Sequence, residues 1–172
     1  DASFAGVILL GHHAKAGTIN AFLDHTVSSQ SWFDFRINDV SVGEIGIEAA
    51  YAGEYGVPVI MVSGDEATSV ETNALLGDVE CAVVKWALAR NRARCMHTDA
   101  AHDLIRMTAA RAVADIARKR FTPYKPALPA TLQLTYYRCD NADVTAANPH
   151  MERVDGRTVR TTVKSFIGAW GF

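Results

Sequence analysis

The 172-residue sequence has little cysteine, no long apolar run and no excess of charge of one sign. Its three cysteines, Cys81, Cys95 and Cys139, are odd in number and form no CxxC pair. Such usage argues against a disulfide framework and for a reducing compartment. No apolar stretch approaches the length of a membrane span, and no basic-then-apolar leader opens the chain. The expectation is a soluble, cytoplasmic protein. The 17 lysines and arginines stand interspersed among 19 acids, for a formal net charge of −2. This pattern lacks the basic footprint of a nucleic-acid or anionic-membrane binder. The HExxH, CxxC and EF-hand signatures of metal sites are absent, as is the GxSxG elbow of serine hydrolases. No internal repeat or low-complexity tract appears.

What is present is a core-forming chain. Apolar residues make up 49% of the sequence, enough for one domain with a substantial core. Ala5 to Leu10 reads as a short strand buried on both faces, ending at Gly11, His12 and His13. Residues 14–31 read as a long loop, and a loop of that length in a compact domain is more often functional than idle. Trp32 to Ile37 alternates as a strand and Asn38-Asp39 is a turn signal. Residues 43–55, GEIGIEAAYAGEY, have roughly helical spacing. Val57 to Val62 predicts a buried strand that enters a helix over 66–76 with acids at its start. Val79 to Val84 predicts another strand, followed by a basic stretch to Arg94. The longest helix is expected over 98–120, with Thr98 as its cap. FTPYKPALP is a connector, and strands are expected at 132–137 and 158–163. Strands alternating with helices predict an α/β fold. A mixed, mainly parallel sheet flanked by helices is expected, with a C-terminal α+β portion.

Three of the six histidines fall between positions 12 and 25. An imidazole at a strand end beside small residues, such as His13, can approach a metal or simply hydrogen-bond at the sheet rim. Side chains alternate along a strand, so His12 should face away from His13 and serve packing. His25 follows Asp24 in the loop. A loop histidine suits general-base or nucleophilic work because its pKa lies near neutrality, although it is equally a common surface residue. His97 and His102 are five apart on a helix and do not converge, and His150 reads as loop surface. Glu44 opens a helix, where the carboxylate form is stabilised, either as a ligand or as a plain helix-start acid. Lys85 and Arg90 are candidates to receive a peptide carboxylate, and Asp65 and Glu66 to line a cleft. Solvated charge and helix-start acids are the plainer readings of those four.

Taken together, LLGHHAKAGT…FLDHT, INDVSVGEIGIEAAYAGEYGVPVIMVSGDE and VVKWALAR resemble the DppA-type zinc D-aminopeptidases, in the same order and with nearly the same separations. The resemblance covers essentially the whole chain and is strongest from 6 to 94. It implies two zinc ions in a cleft of an α/β domain, release of N-terminal D-amino acids from short peptides, and a ring-like homo-oligomer. It places zinc ligands on His13 and Glu44 and a nucleophile or general base on His25. The family's other ligands sit on a preceding D-x-E-G segment and a further histidine, neither of which this sequence contains. The expectation is therefore the C-terminal portion of a larger or split enzyme. In it, residues 1–122 belong to the zinc-binding catalytic domain and 123–172 complete the fold or its oligomer contacts. Two other readings are a non-catalytic oligomerisation or ligand-binding module of the same fold, and a metal-dependent amidase on another small substrate.

Overall fold

The structure is a computed structural model and describes residues 3–118 and 120–169. In chain order the elements are β1 (Val7–Leu9), β2 (Trp32–Ile37), β3 (Val40–Val42), α1 (Glu44–Glu54), β4 (Val59–Asp65), α2 (Glu66–Leu76) and β5 (Glu80–Ala89). They continue as β6 (Arg92–Cys95), α3 (Thr98–Ile116), β7 (Ala130–Tyr136), α4 (Cys139–Ala146), β8 (Glu152–Arg153) and β9 (Thr158–Val163). Two sheets result. The first has the order β1-β4-β5-β6, parallel across its first three strands and closed by the antiparallel β5–β6 pair. The second is wholly antiparallel with the order β3-β2-β7-β9-β8. The expected α/β class with a mixed, mainly parallel sheet is borne out. The antiparallel sheet joins β2 and β3 to strands from beyond residue 122.

Sequence pattern explains which strand lies where. Every residue of β4 is buried, as a central parallel strand covered on both faces requires. By contrast β7 alternates between buried and half-buried positions, the mark of a sheet with one face on the core. Asn38 and Asp39 both take positive φ, 47° and 67°, in the two-residue turn between β2 and β3. Asn and Asp tolerate that conformation, and such turns match the strand twist.

α1 lies between the two sheets. Ile45 and Ala49 pack with Leu9, Val59 and Val62 of the parallel sheet. Ala50 and Ile47 pack instead with Phe35, Val42 and Leu132 of the antiparallel one. A helix gripped on two sides must be thin, which accounts for the small residues in GEIGIEAAYAGEY. A Cβ on Gly46 would lie 2.6 Å from the Val42 side chain, and one on Gly53 only 1.9 Å from the Tyr124 carbonyl oxygen. α3 covers the other face of the parallel sheet, where Ala112, Leu104 and Ile105 meet Ile60 and Met61. None of the described helices is long and apolar enough to cross a membrane.

Several boundaries differ from expectation. β1 is shorter than 5–10. The strand expected over 57–62 starts at Val59 and runs on to Asp65, because Ser63 and Asp65 are themselves buried. The basic stretch after Val84 forms the far half of β5 and then β6, a hairpin whose exposure blurs any two-residue period. α3 stops at Ile116, and His97 rather than Thr98 precedes its first turn. α4 was not expected, since CDNADVTA buries only Ala142.

The contact at Gly53 yields a stability test. Gly53→Ala should cost about 3 kcal/mol, at the upper end of overpacking penalties, because the obstruction is backbone and has no rotamer to yield. Urea unfolding would measure it, and a change below about 0.5 kcal/mol would mean that the connector at Tyr124 is not held against α1.

Candidate metal centre

Three chain segments meet where α1 begins. The end of β1 delivers His13, the following loop delivers His25, and the first turn of α1 delivers Glu44. His13 Nε2 lies 3.2 Å from Glu44 Oε2, and His25 Nε2 lies 4.0 Å from the same oxygen. The two imidazoles stack with centroids 3.7 Å apart and planes 18° from parallel. One candidate ligand atom from each of the three residues falls within 4.8 Å of the other two.

Hydrogen bonds define which ring nitrogens are available. His13 Nδ1 is 3.2 Å from the Ala14 carbonyl oxygen, and His25 Nδ1 is 2.7 Å from the Leu23 carbonyl oxygen. A carbonyl only accepts, so both Nδ1 atoms carry the proton. In the neutral rings both Nε2 lone pairs are then left facing one carboxylate oxygen that is itself an acceptor. That arrangement is repulsive unless a proton or a cation sits among them. Paired imidazoles held by backbone carbonyls beside a carboxylate are the donor set of a divalent metal site. The residues present therefore fit a metal ion.

The charges agree with a proton in that place when metal is absent. Burial works against charge on His13, but the Glu44 carboxylate and the Ala14 carbonyl outweigh it and raise the imidazole pKa above its ordinary 6.5. Burial likewise opposes the Glu44 carboxylate. His13 and the Val27 N–H, which donates to Glu44 Oε2 over 3.1 Å, nevertheless hold it below its ordinary 4.5.

The loop that carries His25 is fixed at several points. The Phe22 N–H donates to Asp65 Oδ2 over 2.6 Å, while Asp65 Oδ1 caps α2 by accepting from the Thr68 N–H and hydroxyl. Arg90, at the tip of the β5–β6 hairpin, pairs with Asp24 Oδ1 at 3.1 Å and donates to the Asp24 carbonyl. The Leu23 N–H donates to the Arg90 carbonyl over 2.7 Å. Leu23 and Val27, on either side of His25, take φ of 55° and 57°. For a β-branched residue such as Val27 this conformation is strained, and it persists only where the surroundings impose it.

Of the other residues singled out in the sequence, Asp65 is buried in the loop anchorage just described. Arg90 is engaged by Asp24, and Lys85 sits over the Phe22 ring at 5.5 Å. The expected opposition of His12 and His13 is not found, for the two rings stack with centroids 6.2 Å apart. Alternation requires a continuing strand, whereas β1 ends at Leu9 and Gly11 turns the chain with φ 77°. His12 Nε2 instead meets Glu48 Oε2 at 3.2 Å, one turn beyond Glu44. Burial and neighbouring His13 lower the His12 pKa, and burial and Glu44 raise that of Glu48. Those directions oppose an ion pair, so the short contact is a packed polar one. Glu48 was legible only as the i+4 neighbour of Glu44. An open cleft of about 550 Å³ lined by Lys15, Ser41, Val42, Val70 and Glu71 includes none of His13, His25 and Glu44. Donor chemistry, not cavity size, locates this centre.

A histidine pair facing a helix-start carboxylate, in an α/β fold with a mainly parallel sheet, gives the chain a donor set that could hold a metal ion. The profile of the D-aminopeptidase family matches residues 1–172, and the chain belongs to that family, as the sequence motifs implied. A D-aminopeptidase of Bacillus subtilis (strain 168) is 30% identical over 171 residues, 99% of this chain and 61% of that relative. Among solved structures, the chain superposes with a TM-score of 0.91 and 30% identity on the Zn-dependent D-aminopeptidase DppA from Bacillus subtilis, described as a self-compartmentalizing protease. That match covers 97% of this chain and 60% of the other. The chain thus spans about three fifths of the length of these relatives.

The ion pair predicts a pH window. With a raised pKa, His13 stabilises the fold below 6.5 and loses that contribution as pH rises through its folded value. With a lowered pKa, Glu44 stabilises above 4.5 and loses it as pH falls through its own. In metal-free protein a double-mutant cycle with His13→Ala and Glu44→Ala should therefore show coupling between those limits and lose it on either side. Coupling that stays constant from acid to alkali would contradict a proton shared between the two.

Proposed function

We propose that the protein is a zinc-dependent aminopeptidase that removes N-terminal D-amino acids from short peptides. The observation that carries this reading is the convergence of His13, His25 and Glu44 within 4.8 Å, in a chain of the D-aminopeptidase family. His13 and Glu44 are the metal ligands. Zinc bound there supplies a Lewis acid for the scissile carbonyl and lowers the pKa of water at the site. His25 keeps its Nδ1 proton on the Leu23 carbonyl, so Nε2 is the atom that accepts a proton or attacks. The Arg90–Asp24 pair and the Asp65–Phe22 bond hold that nitrogen in place.

A catalytic zinc normally takes three protein ligands and keeps one open position. Two ligands from this chain are too few for the two ions the family resemblance implies, so the remaining ligands come from further polypeptide, of the kind that makes the relatives longer. The self-compartmentalizing description of the structural neighbour favours a ring-like homo-oligomer here as well. A second reading rests on the 4.0 Å approach of His25 Nε2 to Glu44, which makes His25 a third ligand rather than the base.

The test compares His25→Ala with Glu44→Ala in the full-length gene product, by zinc content and by release of D-alanine from D-Ala-D-Ala. Under the first reading, Glu44→Ala loses metal while His25→Ala keeps it and drops turnover at least about 1,000-fold, as loss of a nucleophile or base does. Metal loss in both would favour the second reading. A wild-type protein with neither zinc nor D-alanine release would overturn both.

A further inference from the structure

Glu71 lies in the middle of α2 and belongs to none of the groups assigned above. Its Oε2 accepts the Lys15 N–H at 2.7 Å, across 56 residues of sequence. Lys15 is the second residue after His13. Its Oε1 is shut off from solvent without a hydrogen bond of full geometry and lies against the backbone of Gly43, the residue before Glu44. A Cβ on Gly43 would sit 2.8 Å from Glu71 Oε1 and 2.8 Å from Lys15 Cβ. One carboxylate is therefore wedged between the segment that carries His13 and the segment that carries Glu44.

A second link runs parallel to the first. Lys15 Nζ donates to the Ser41 hydroxyl over 2.7 Å and to the Ser41 carbonyl over 3.3 Å, while the Ser41 hydroxyl donates to Asp34 Oδ1 over 2.5 Å. Lys15 is thereby tied through its side chain to β3 and through its backbone to α2. The side chain of Lys15 has the freedom of four rotatable bonds, and half-buried Ser41 lies on β3, the edge strand of its sheet. The Glu71 bond, by contrast, reaches the backbone directly and from a helix that Asp65 also fastens to the His25 loop. Of the two links, Glu71 is the stiffer.

We propose that Glu71 is a positioning residue that sets the separation of His13 and Glu44 by holding the Lys15 backbone against Gly43. This inference rests on the metal-site reading, but part of it is decided without metal. Residues that orient metal ligands alter affinity without touching the ion, typically by about 10- to 100-fold on mutation. Glutamine at position 71 keeps an acceptor for the Lys15 N–H in the same shape, whereas leucine keeps only the bulk.

The experiment is a comparison of Glu71→Gln and Glu71→Leu in the full-length gene product. Zinc affinity is read by competition with a chelating dye, and the His13 and His25 imidazole nitrogen shifts are read by NMR on metal-free protein at one fixed pH. Glu71→Leu should weaken zinc binding at least about tenfold and move the His13 shifts, with Glu71→Gln staying within about threefold and leaving them in place. Equal losses in both variants, or none in folded Glu71→Leu, would overturn the proposal. If the wild type binds no zinc, the metal reading fails, and the imidazole shifts alone still decide whether Glu71 positions His13. If Glu71→Leu does not fold, hydrogen exchange on wild type and Glu71→Gln decides. The Lys15 amide should be protected in both, and exchange as fast as that of exposed Ile19 and Asn20 would overturn the assignment.

Discussion

The thinness of α1 is the constraint from which the rest of the architecture follows. Two sheets with different strand directions share one helix between them, and only small residues let both approach it. Gly46, Ala49, Ala50 and Gly53 are buried in that seam, so the helix has no fully polar face on which to carry chemistry along its length. Its first turn is the exception. There the helix emerges between β3 and the end of β1, and the first side chain it presents is Glu44. The N-terminal dipole favours the ionised carboxylate at that point. Seam and site are thus consequences of one packing decision.

The site is local in sequence at each of its parts and non-local as a whole. His13 needs the end of β1, Glu44 needs the seam, and His25 needs a loop pinned by Asp65 and Arg90. The pins come from the end of β4, where it caps α2, and from the tip of the β5–β6 hairpin, elements with no ligand of their own. Leu23 and Val27 hold strained backbone conformations around His25, and that strain is sustained by bonds running 43 and 66 residues along the chain. A loop without those bonds would relax and carry His25 away from Glu44.

Much of this was legible in the sequence, and what was not has physical reasons. β2, α2 and β9 fall where their patterns place them, because alternation and helix-start acids are local signals. The trio of His13, His25 and Glu44 was legible through motif resemblance, since spacing alone left each of them equally a rim or surface residue. The β5–β6 hairpin was missed because its outer half is exposed on both faces and shows no period. The turning of His12 toward α1 was missed because it depends on a positive φ at Gly11, which ends the strand one residue earlier than its apolar run suggests. Glu71 carried no local signal whatever. A glutamate in the middle of an amphipathic helix reads as solvated, and only the tertiary approach of Lys15 and Gly43 gives it a purpose.

The electrostatics of the centre tie its two states together. Both imidazoles offer Nε2 to one oxygen because both Nδ1 protons are committed to backbone carbonyls. In the metal-free chain a proton resolves the conflict by residing on His13, which is why its pKa rises and that of Glu44 falls. A cation taken up in the same place needs His13 neutral and Glu44 ionised, so uptake must release that proton. The proton that stabilises the metal-free pair is therefore also the competitor that a metal must displace. Acid strengthens the competitor twice, first by keeping His13 charged and then by neutralising Glu44. Under the proposed function, the acid limit of zinc binding belongs to the pair and not to either residue alone.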